Sequence, residues 1–372
     1  MRLAEFGLER YFGEHEFNVR HVLSASDCET FSMAELLEMA SPEALARWRD
    51  LRLGYTESQG HPLLRAAIAG LYETVAPEGV VVAAPEEAIF IAMHALLEPG
   101  DRVVVLAPAY QSLHEVARSI GCDVARWPLA VGPGGWRLDV DALERLVDGR
   151  TRMVVVNYPH NPTGAQATRA EFDAIVALAA ARGAWLFSDE MYRLLEHDPS
   201  DRLPPAADLY ERALSLSGLS KAFGLPGLRI GWLASRAPGL PARLLALKDY
   251  TTICSSAPSE TLAIVALAAR ARILARNVAI VRENMAAAAR FFAGHAGRFE
   301  WLPPRAGSVA FPRWTGAGTA DAMCRGLLDR QGALLVPGSL FDAEGEHVRV
   351  GLGRRDLPEG LALLGEYLAS LD

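Results

Sequence analysis

The sequence predicts an α/β fold with a mostly parallel sheet, joined to a smaller α+β domain. Between about residues 80 and 235, short runs rich in β-branched residues alternate with segments of helical periodicity. This pattern is typical of a parallel sheet covered on both faces by helices. After residue 255 the pattern changes to a long helical stretch, short strands and a final helix. A length of 372 residues also favours two domains over one.

The individual elements follow from local patterns. Four apolar runs predict buried strands, and the segments that precede or separate them predict helices. The predicted strands cover residues 103–107, 153–157, 185–189 and 213–217, and the predicted helices cover residues 86–98, 112–120, 141–147 and 169–183.

The same patterns predict how the chain is divided. We expect a large domain over residues 46–250, and an interdomain helix with a small C-terminal domain over residues 251–372. Residues 1–45 contain Pro and Gly and show weak periodicity, so they lack a core of their own. We therefore expect this N-terminal segment to pack with the small domain.

Composition and charge exclude several classes of protein. The formal net charge of −8 argues against a nucleic-acid binder, which needs a basic face. The first residues lack the apolar core of a signal peptide, and the most apolar stretch, residues 262–269, is too short to span a bilayer. The four cysteines lie far apart without metal-ligand spacing, so we expect buried or free thiols and no bound metal. We predict a cytoplasmic protein.

The strongest chemical motif is SLSGLSKAFGLPGLRIGW, residues 215–232. Lys221 stands among small residues, and a crowded, uncharged pocket favours the neutral amine that forms an imine. Arg229 follows eight positions later, and its planar guanidinium suits a dianionic phosphate. A surface lysine on a glycine-rich loop is the alternative.

Two further motifs end predicted strands upstream. The string NYPHNPTG (157–164) predicts a tight turn at the carboxyl edge of the sheet, where open α/β sheets bind ligands. In LFSDEMY (186–192), Asp189 ends a buried strand, where a carboxylate is costly unless it is paired. Pairing with a pyridinium nitrogen would satisfy Asp189, and a role as a helix N-cap is the alternative.

Together these motifs resemble the class I/II aminotransferases, enzymes of fold type I that use pyridoxal 5′-phosphate (PLP). The residues from Gly218 to Gly231 fill the lysine signature of that family, although Gly218 stands where many members have a serine. The resemblance covers residues 50–355. It implies a seven-stranded, mostly parallel sheet in a large PLP-binding domain, a homodimer with shared active sites, and Lys221 in a Schiff base with the cofactor.

The resemblance also implies how each motif would contact PLP. Lys221, Asp189 and Tyr192 are the implied catalytic residues, with Asp189 on the ring nitrogen. Ala84-Pro85 departs from the Gly-Ala of the family, and Pro85 offers no N–H group. Asn161 and Tyr192 would contact the phenolic oxygen, and Tyr110 would stack on the ring. The implied phosphate ligands are Arg229, Ser217, Ser220, Glu86, Glu87 and Tyr55. Glu86 and Glu87 would bind through backbone N–H groups at a helix start, and Tyr55 would reach across the dimer interface. An exposed tyrosine at a helix start is the alternative for Tyr110.

The string HVRVGLG (347–353) predicts a substrate contact. Bidentate pairing by an arginine fixes a carboxylate in one orientation. The resemblance makes Arg349 the ligand of the substrate α-carboxylate, with Asn161 beside it. A strand arginine in a surface salt bridge is the alternative.

Residues 21–31 are the part of the chain that departs most from the family. They lack its Gly-x-Pro-Asp string and place Ser26 where the resemblance implies a substrate contact. The acidic pair Asp27 and Glu29 would either face a cationic substrate side chain or form a solvated helix-capping cluster. This departure resembles capreomycidine-synthase-like members of the family, which act on arginine derivatives.

The predicted function is an aminotransferase that moves the α-amino group of an amino acid to a 2-oxo acid, with Lys221 as the general base at Cα. The alternative is a PLP lyase or cyclase, possible because the leaving group of the substrate decides the path after proton removal. A PLP-binding transcriptional regulator is disfavoured because the fifty residues before the motifs are not basic. A Rossmann dehydrogenase is disfavoured because no GxGxxG follows a strand.

Overall fold

The computed structural model describes residues 3–132 and 134–371. Its helices are α1 (Gly7–His15), α2 (Met33–Leu37), α3 (Pro42–Arg49), α4 (Pro62–Ala69), α5 (Pro85–Leu96), α6 (Ser112–Ile120), α7 (Val140–Leu146), α8 (Arg169–Arg182), α9 (Ala206–Leu209), α10 (Leu240–Lys248), α11 (Ala257–Ala268), α12 (Arg270–Gly294), α13 (Ala320–Gln331) and α14 (Leu357–Ala369). Its strands are β1 (His21–Val22), β2 (Val80–Ala83), β3 (Arg102–Ala107), β4 (Asp123–Pro128), β5 (Ala130–Gly132), β6 (Gly135–Arg137), β7 (Thr151–Asn157), β8 (Trp185–Asp189), β9 (Ala213–Gly218), β10 (Gly231–Ala234), β11 (Phe299–Glu300), β12 (Val309–Ala310), β13 (Arg313–Trp314), β14 (Ala333–Leu334), β15 (Val336–Pro337) and β16 (Val348–Gly351).

A seven-stranded sheet in the order β2-β10-β9-β8-β7-β3-β4 forms the centre of the described chain. The neighbouring strands from β9 to β4 are parallel, and β10 runs antiparallel to both of its neighbours. Along β3, Val103 and Val105 belong to one apolar cluster while Val104 and Leu106 belong to another, so both faces of the sheet are covered. The predicted α/β fold with a mostly parallel, seven-stranded sheet is confirmed.

Capping residues explain where the helices of this sheet begin and end. The hydroxyl of Thr168 accepts the N–H of Glu171 at 3.2 Å, and the Glu171 carboxylate accepts the N–H of Thr168 at 2.7 Å. Gly183 ends the same helix, α8, with a φ of 61°. Helix α5 begins at Pro85, whose missing N–H costs nothing at a first helical position. Local sequence therefore determines these boundaries.

The C-terminal third combines long helices with short strands. The helical stretch that was predicted as one element is two helices, α11 and α12, which meet at Ala269. Neither of them, nor any other helix of the described residues, is both long and apolar enough to cross a membrane. Strands β12, β16 and β15 form an antiparallel sheet, and β1 from the N-terminal segment pairs in parallel with β14. The domain boundaries at residues 45 and 250 stay predictions.

The N-terminal segment contains helices that its weak periodicity did not predict. Leu8 of α1 is buried in an apolar cluster with Phe311, Val336 and Phe341 from the C-terminal third. The side chain of Gln111 accepts the N–H of Gly7 at 3.0 Å, which ties α1 to the start of α6. Because α1 packs against distant parts of the chain, its position is set by tertiary contacts.

Candidate active site

Three of the predicted motifs meet at the carboxyl edge of the central sheet. Strand β7 ends at Asn157 and β8 ends at Asp189, and these two residues are in register. Asp189 is also opposite Leu216 of β9, and Lys221 follows in the loop after Gly218. Parallel strands bring their carboxyl ends to one edge, so motifs from successive strand–helix units become neighbours.

A cavity of about 660 Å³ opens at this edge. It is lined by the loops after the strands, by the starts of α5 and α6, by the N-terminal segment and by β16. The predicted site residues that line it are Ser26, Glu86, Tyr110, Asn161, Asp189, Tyr192, Ser220, Lys221, Arg229 and Arg349. The fold thus collects residues from both ends of the sequence into one site.

The turn after β7 holds Asn161 in place. Oδ1 of Asn157 accepts the backbone N–H of Asn161 at 2.8 Å, and Nδ2 of Asn157 donates to the backbone oxygen of Asp189 at 2.9 Å. Gly164 closes the turn with a φ of 67°, and a Cβ there would lie 2.2 Å from Cβ of Pro304. Backbone geometry and close packing therefore both require a glycine at position 164.

The amine of Lys221 contacts the N-terminal segment. Its Nζ donates to Oγ of Ser26 at 2.8 Å. The hydroxyl of Ser308 donates to the backbone oxygen of Ser26 at 2.7 Å, and the N–H of Cys28 donates to the backbone oxygen of Lys221 at 3.4 Å. The segment that departs from the family string thus places a hydroxyl group on the lysine.

The loop after the lysine has two unusual backbone features. Arg229 has a φ of 53°, a left-handed conformation that is uncommon outside glycine, and its guanidinium donates to the backbone oxygen of Pro226 at 3.1 Å. A Cβ on Gly218 would lie 3.0 Å from Cα of Gly231 on the neighbouring strand. A side chain at position 218 would therefore need β9 and β10 to shift apart by a few tenths of an ångström.

Asp189 is a buried carboxylate that ends strand β8. The N–H of Met191 donates to its Oδ1 at 3.1 Å. Burial raises the pKa of Asp189 to about 7, although the Met191 hydrogen bond and the charge of Lys221 act in the opposite direction. Residues 190–205 of the described chain contain no α-helix, so Asp189 is not a helix N-cap. A buried carboxylate with a raised pKa is suited to receive a cation or an N–H donor.

Tyr110 and Glu86 place a second titratable pair on the cavity. The Tyr110 hydroxyl donates to Oε1 of Glu9 at 2.7 Å, and burial together with the charges of Glu86 and Glu9 raises the pKa of Tyr110. Surrounding protein atoms exclude water and raise the pKa of Glu86 to about 7, while the Ser112 hydroxyl, donating at 3.3 Å, opposes that shift. The resemblance implied a role for the backbone N–H of Glu86, but its side chain also lines the cavity.

Arg349 is almost completely buried, with 1% of its surface exposed, which excludes the surface salt bridge. Its Nη1 donates to Oδ1 of Asn161 at 3.2 Å, and its Nη2 donates to the backbone oxygen of Ser24 at 3.0 Å. The rings of Phe12 and Phe341 lie 5.6 and 5.2 Å from its Cζ. Burial lowers the pKa of this guanidinium. No carboxylate of residues 3–132 and 134–371 pairs with Arg349, and an unpaired buried cation is costly, so the arrangement is suited to an anionic ligand.

Three of the implied phosphate contacts do not line the cavity. The Glu87 carboxylate accepts the Thr252 hydroxyl at 2.7 Å instead. Ser217 lies within β9, opposite Trp232 of β10. Tyr55 is 92% exposed on this chain, as a residue that reaches across a dimer interface would be. The roles of these residues, and the homodimer, stay predictions.

The acidic pair of the N-terminal segment has two different environments. Both carboxylate oxygens of Asp27 accept from Nη2 of Arg354 at 3.1 Å, and Asp27 lines the cavity. Oε2 of Glu29 accepts the backbone N–H of Arg355 at 2.9 Å, and Glu29 is not among the lining residues. The charge of Asp27 is thus already neutralised by Arg354, and the carboxylate of Glu29 accepts a backbone N–H group.

Sequence reasoning missed the part of the cavity that α1 forms. The signal was present in Glu9, Phe12 and Glu16, whose spacing places them on one face of a helix. We call the lining residues of α1 and the segment after it the N-terminal wall: Leu8, Glu9, Phe12, Glu16, Phe17, Ala25, Ser26, Asp27 and Thr30.

Several buried polar atoms of the cavity have no hydrogen-bond partner within residues 3–132 and 134–371. They are the hydroxyls of Tyr192 and Ser220 and the Nε atoms of Arg349 and Arg354. Buried polar groups are nearly always satisfied in proteins, so these atoms indicate a polar ligand in the cavity. An amine, a buried carboxylate and a buried guanidinium around the same space indicate that this ligand carries both anionic groups and a basic nitrogen.

Known proteins with similar sequences agree with this chemistry. The family model described as aminotransferase class I and II matches residues 22–357. Capreomycidine synthase of Streptomyces vinaceus is 35% identical over 370 residues, which cover 98% of this chain and 93% of that protein. Arginine–pyruvate transaminase of Pseudomonas aeruginosa is 30% identical over 348 residues, which cover 89% of this chain and 85% of that protein.

Solved structures match the whole chain. A PLP-dependent aminotransferase from Streptococcus suis has a TM-score of 0.93 at 30% identity, covering 100% of this chain and 99% of its own. The PLP-dependent cyclase OrfR has a TM-score of 0.90 at 32% identity, with the same coverage of 100% and 99%. The resemblance that the motifs suggested is confirmed, because the family model matches most of the chain. The protein therefore belongs to the aminotransferase class I and II family, and it is an enzyme of fold type I whose cofactor is PLP.

Proposed function

We propose that PLP is held at the carboxyl edge of the sheet in a Schiff base with Lys221. Asp189 would pair with the ring nitrogen. Burial raises the pKa of Asp189, and a protonated ring nitrogen would stabilise its carboxylate. Tyr192 and Asn161 would share the phenolic oxygen. The unpaired, buried hydroxyl of Tyr192 supports this assignment.

The remaining contacts would hold the ring and the phosphate. Tyr110 would lie against the ring, with its hydroxyl fixed by Glu9. Arg229, the unpaired hydroxyl of Ser220 and the N–H groups at the start of α5 would bind the phosphate. The cavity is large enough for the cofactor together with an amino acid.

The chain's own residues would then carry out proton transfer at Cα. When bound, PLP supplies an electron sink for the pair left by the departing proton. Arg349 would hold the substrate carboxylate and turn the Cα–H bond toward the amine of Lys221, which would take the proton. The hydroxyl of Ser26, 2.8 Å from that amine, would steer it.

We propose that the overall reaction is ring closure on an arginine-derived amino acid. The observation that carries this proposal is the end-to-end similarity to capreomycidine synthase, over 98% of this chain. The full-length structural likeness to a PLP-dependent cyclase supports it. A substrate with a β-hydroxyl group would lose its Cα proton and that hydroxyl as water. A guanidine nitrogen would then bond to Cβ and give up its proton as Cα regains one, so the net change is the loss of one water. No net oxidation occurs, so no 2-oxo acid is needed.

Transamination, which the sequence predicted, is the second candidate. The likeness to a PLP-dependent aminotransferase and to an arginine–pyruvate transaminase favours it. The same residues would remove the same proton, and the amino group would stay on the enzyme until a 2-oxo acid accepted it. The two candidates therefore share a site and differ in what happens at Cβ.

Turnover without any 2-oxo acid separates the two candidates. We expect the holoenzyme to convert β-hydroxyarginine into a product lighter by one water, many times per active site, as measured by mass spectrometry. Arginine itself, which lacks a leaving group on Cβ, is the matched control and should not be cyclised. Conversion that stops at one equivalent, with pyridoxamine phosphate formed, would instead establish transamination.

Borohydride reduction tests the cofactor attachment. The sequence contains only two lysines, Lys221 and Lys248, which makes the assignment simple. Lys248 is fully buried and its Nζ donates to the backbone oxygen of Ile253 at 3.0 Å, so it is not available to PLP. We expect the reduced pyridoxyl group on Lys221 in peptide maps of the wild type and of the control variant Lys248→Arg. A label on Lys248 would overturn the assignment.

A further inference from the structure

We infer that Glu16 is the specificity-determining residue that binds the cationic end of the substrate side chain. The inference rests on the proposed function in one respect, which is that Arg349 holds the α-carboxylate and so determines where the side chain begins. It replaces Asp27, the residue that the sequence suggested for this role.

Among the described residues, the cavity has one lining carboxylate, apart from Asp189 with its proposed role, that accepts no side-chain hydrogen bond and forms no salt bridge. Asp27 is neutralised by Arg354 at 3.1 Å, and Asp189 is reserved for the ring nitrogen. The other three carboxylates come from α1 and α5. Glu9 accepts the Tyr110 hydroxyl at 2.7 Å, Glu86 accepts the Ser112 hydroxyl at 3.3 Å, and Glu16 accepts no side-chain hydrogen bond or salt bridge in the described part of the chain.

Glu16 is half-buried, and its environment favours a cation. Burial raises the pKa of Glu16, because removing water destabilises the carboxylate, and the nearby charge of Arg354 only opposes that effect. Arg354 donates to Asp27 through Nη2, and no hydrogen bond or salt bridge joins Arg354 to Glu16 within residues 3–132 and 134–371. A guanidinium or ammonium group from a ligand would supply both the charge and the N–H donors.

The position of Glu16 in α1 is not explained by helix stability. The residue caps the C-terminal end of α1 with helical backbone angles, where the helix dipole disfavours a negative charge. Glu9 lies two turns earlier on the same face, with Phe12 between them, and all three line the cavity. One face of the helix thus presents two carboxylates and an aromatic ring to the site.

A second observation, independent of the carboxylates, indicates what ligand lies against this face. Arg349 is 1% exposed and its Nε has no partner among the described residues, which indicates a ligand carboxylate at that end. Phe12 connects the two ends, since its ring is 5.6 Å from the Arg349 Cζ and it precedes Glu16 by about one helical turn on the same face of α1. Anchors of opposite charge with an apolar surface between them match an amino acid with a methylene chain and a terminal cation.

Calorimetric titration of the holoenzyme with 5-guanidinopentanoate tests the inference. This probe is arginine without its α-amino group, so it binds without forming a Schiff base and reports binding alone. Heptanoate is the control probe, because it keeps the carboxylate and the chain but has no terminal cation. The variant is Glu16→Gln, and the matched control is Glu14→Gln, which changes an exposed carboxylate on the same helix.

We expect Glu16→Gln to raise the Kd of 5-guanidinopentanoate about 10- to 100-fold and to leave the Kd of heptanoate unchanged. Glu14→Gln should bind both probes like the wild type. In the charge-reversed variant Glu16→Lys, heptanedioate should bind more tightly than 5-guanidinopentanoate.

The inference is overturned if Glu16→Gln and Glu14→Gln bind 5-guanidinopentanoate equally, if both probes weaken together in Glu16→Gln, or if the wild type does not bind 5-guanidinopentanoate more tightly than heptanoate. These results are separate from the reaction outcome. An enzyme that transaminates and still shows the selective loss would contradict ring closure while supporting the role of Glu16.

Discussion

The two sides of the cavity are built in different ways. On one side, which we call the cofactor edge, Asn161, Asp189 and Lys221 follow three neighbouring parallel strands. On the other side, the N-terminal wall comes from a short helix and a loop that belong to no central strand. The cofactor edge is positioned by pairing within the central sheet. The wall is positioned by side-chain and backbone contacts with distant parts of the chain, such as the bond from the N–H of Cys28 to the backbone oxygen of Lys221.

The contacts of the wall join residues that lie far apart in sequence. Gln111 accepts the N–H of Gly7 and donates to the backbone oxygen of Glu5 at 2.7 Å. Tyr110 donates to Glu9, and Lys221 donates to Ser26. Such a wall can change its side chains without moving the sheet, which suits the side that selects the substrate. We therefore expect changes at the cofactor edge to affect chemistry, and changes in the wall to affect selection and stability.

The largest effect is expected at the cofactor edge. Asp189→Ala should lower turnover by about 10²- to 10³-fold while PLP stays bound, because a preorganised charge partner of the ring is lost. Steady-state turnover and the visible absorbance of the bound cofactor are the measurements. Asp173→Ala, which removes an exposed carboxylate of α8, is the control and should keep full activity. Near-normal turnover in Asp189→Ala would show that another residue serves the ring.

A smaller effect is expected where the two sides meet. Arg349→Lys should raise the KM for the amino acid about 10- to 100-fold, because a lysine cannot reproduce the paired hydrogen bonds of a guanidinium. PLP binding should not change, since Arg349 is assigned to the substrate. Arg313→Lys, an exposed arginine near Glu300, is the matched control. A loss of PLP affinity with an unchanged KM would indicate that Arg349 contacts the cofactor and not the substrate.

In the wall itself, we expect a loss of stability. Asp27→Asn should lower the free energy of unfolding by about 1–3 kcal/mol, because Arg354 keeps its charge and loses its partially buried partner. Urea denaturation of the holoenzyme measures the change. Glu29→Gln, which alters a hydrogen bond to one backbone N–H group, should cost less than Asp27→Asn. Equal stabilities of the two variants would mean that the Asp27 pair is not structural.

The last prediction concerns how the free energy of unfolding changes with pH in the protein without PLP, where no catalytic effect is measured. The pKa of Asp189 rises from 3.8 to about 7 in the fold, so the folded state holds a proton that the unfolded chain releases between about pH 4 and 7. This contribution to stability is complete below pH 4 and is lost as the pH rises through 7. In Asp189→Asn, the free energy of unfolding measured with urea should fall less between pH 4 and 7 than in the wild type. Part of the pH dependence should remain in this variant, because Glu86 also has a pKa of about 7. If the free energy of unfolding depends on pH equally in wild type and variant, Asp189 is ionised in the protein without PLP.

Much of the cofactor edge was predictable from sequence because its signals are local. A buried strand that ends in Asp189, and a turn that needs Gly164 at a positive φ, impose residue types on consecutive positions. The N-terminal wall gave only the helical spacing of Glu9, Phe12 and Glu16, which does not tell what these side chains contact. Glu16 gains its significance from Arg354 and Arg349, which lie more than three hundred residues away in the chain. Pairing of charges across that separation leaves no pattern in a single sequence.

Sequence by itself determined the fold class, the family, the cofactor and the lysine that we propose carries it, because buried parallel strands and phosphate-binding turns require particular residues at short spacing. Only the tertiary structure decided the partners of the charged groups. It paired Asp27 with Arg354, placed Ser26 on Lys221, and left Glu16 without a partner in the described cavity lining. The physical reason is that an ion pair depends on distance in space, and burial then determines how strongly each charge needs its partner.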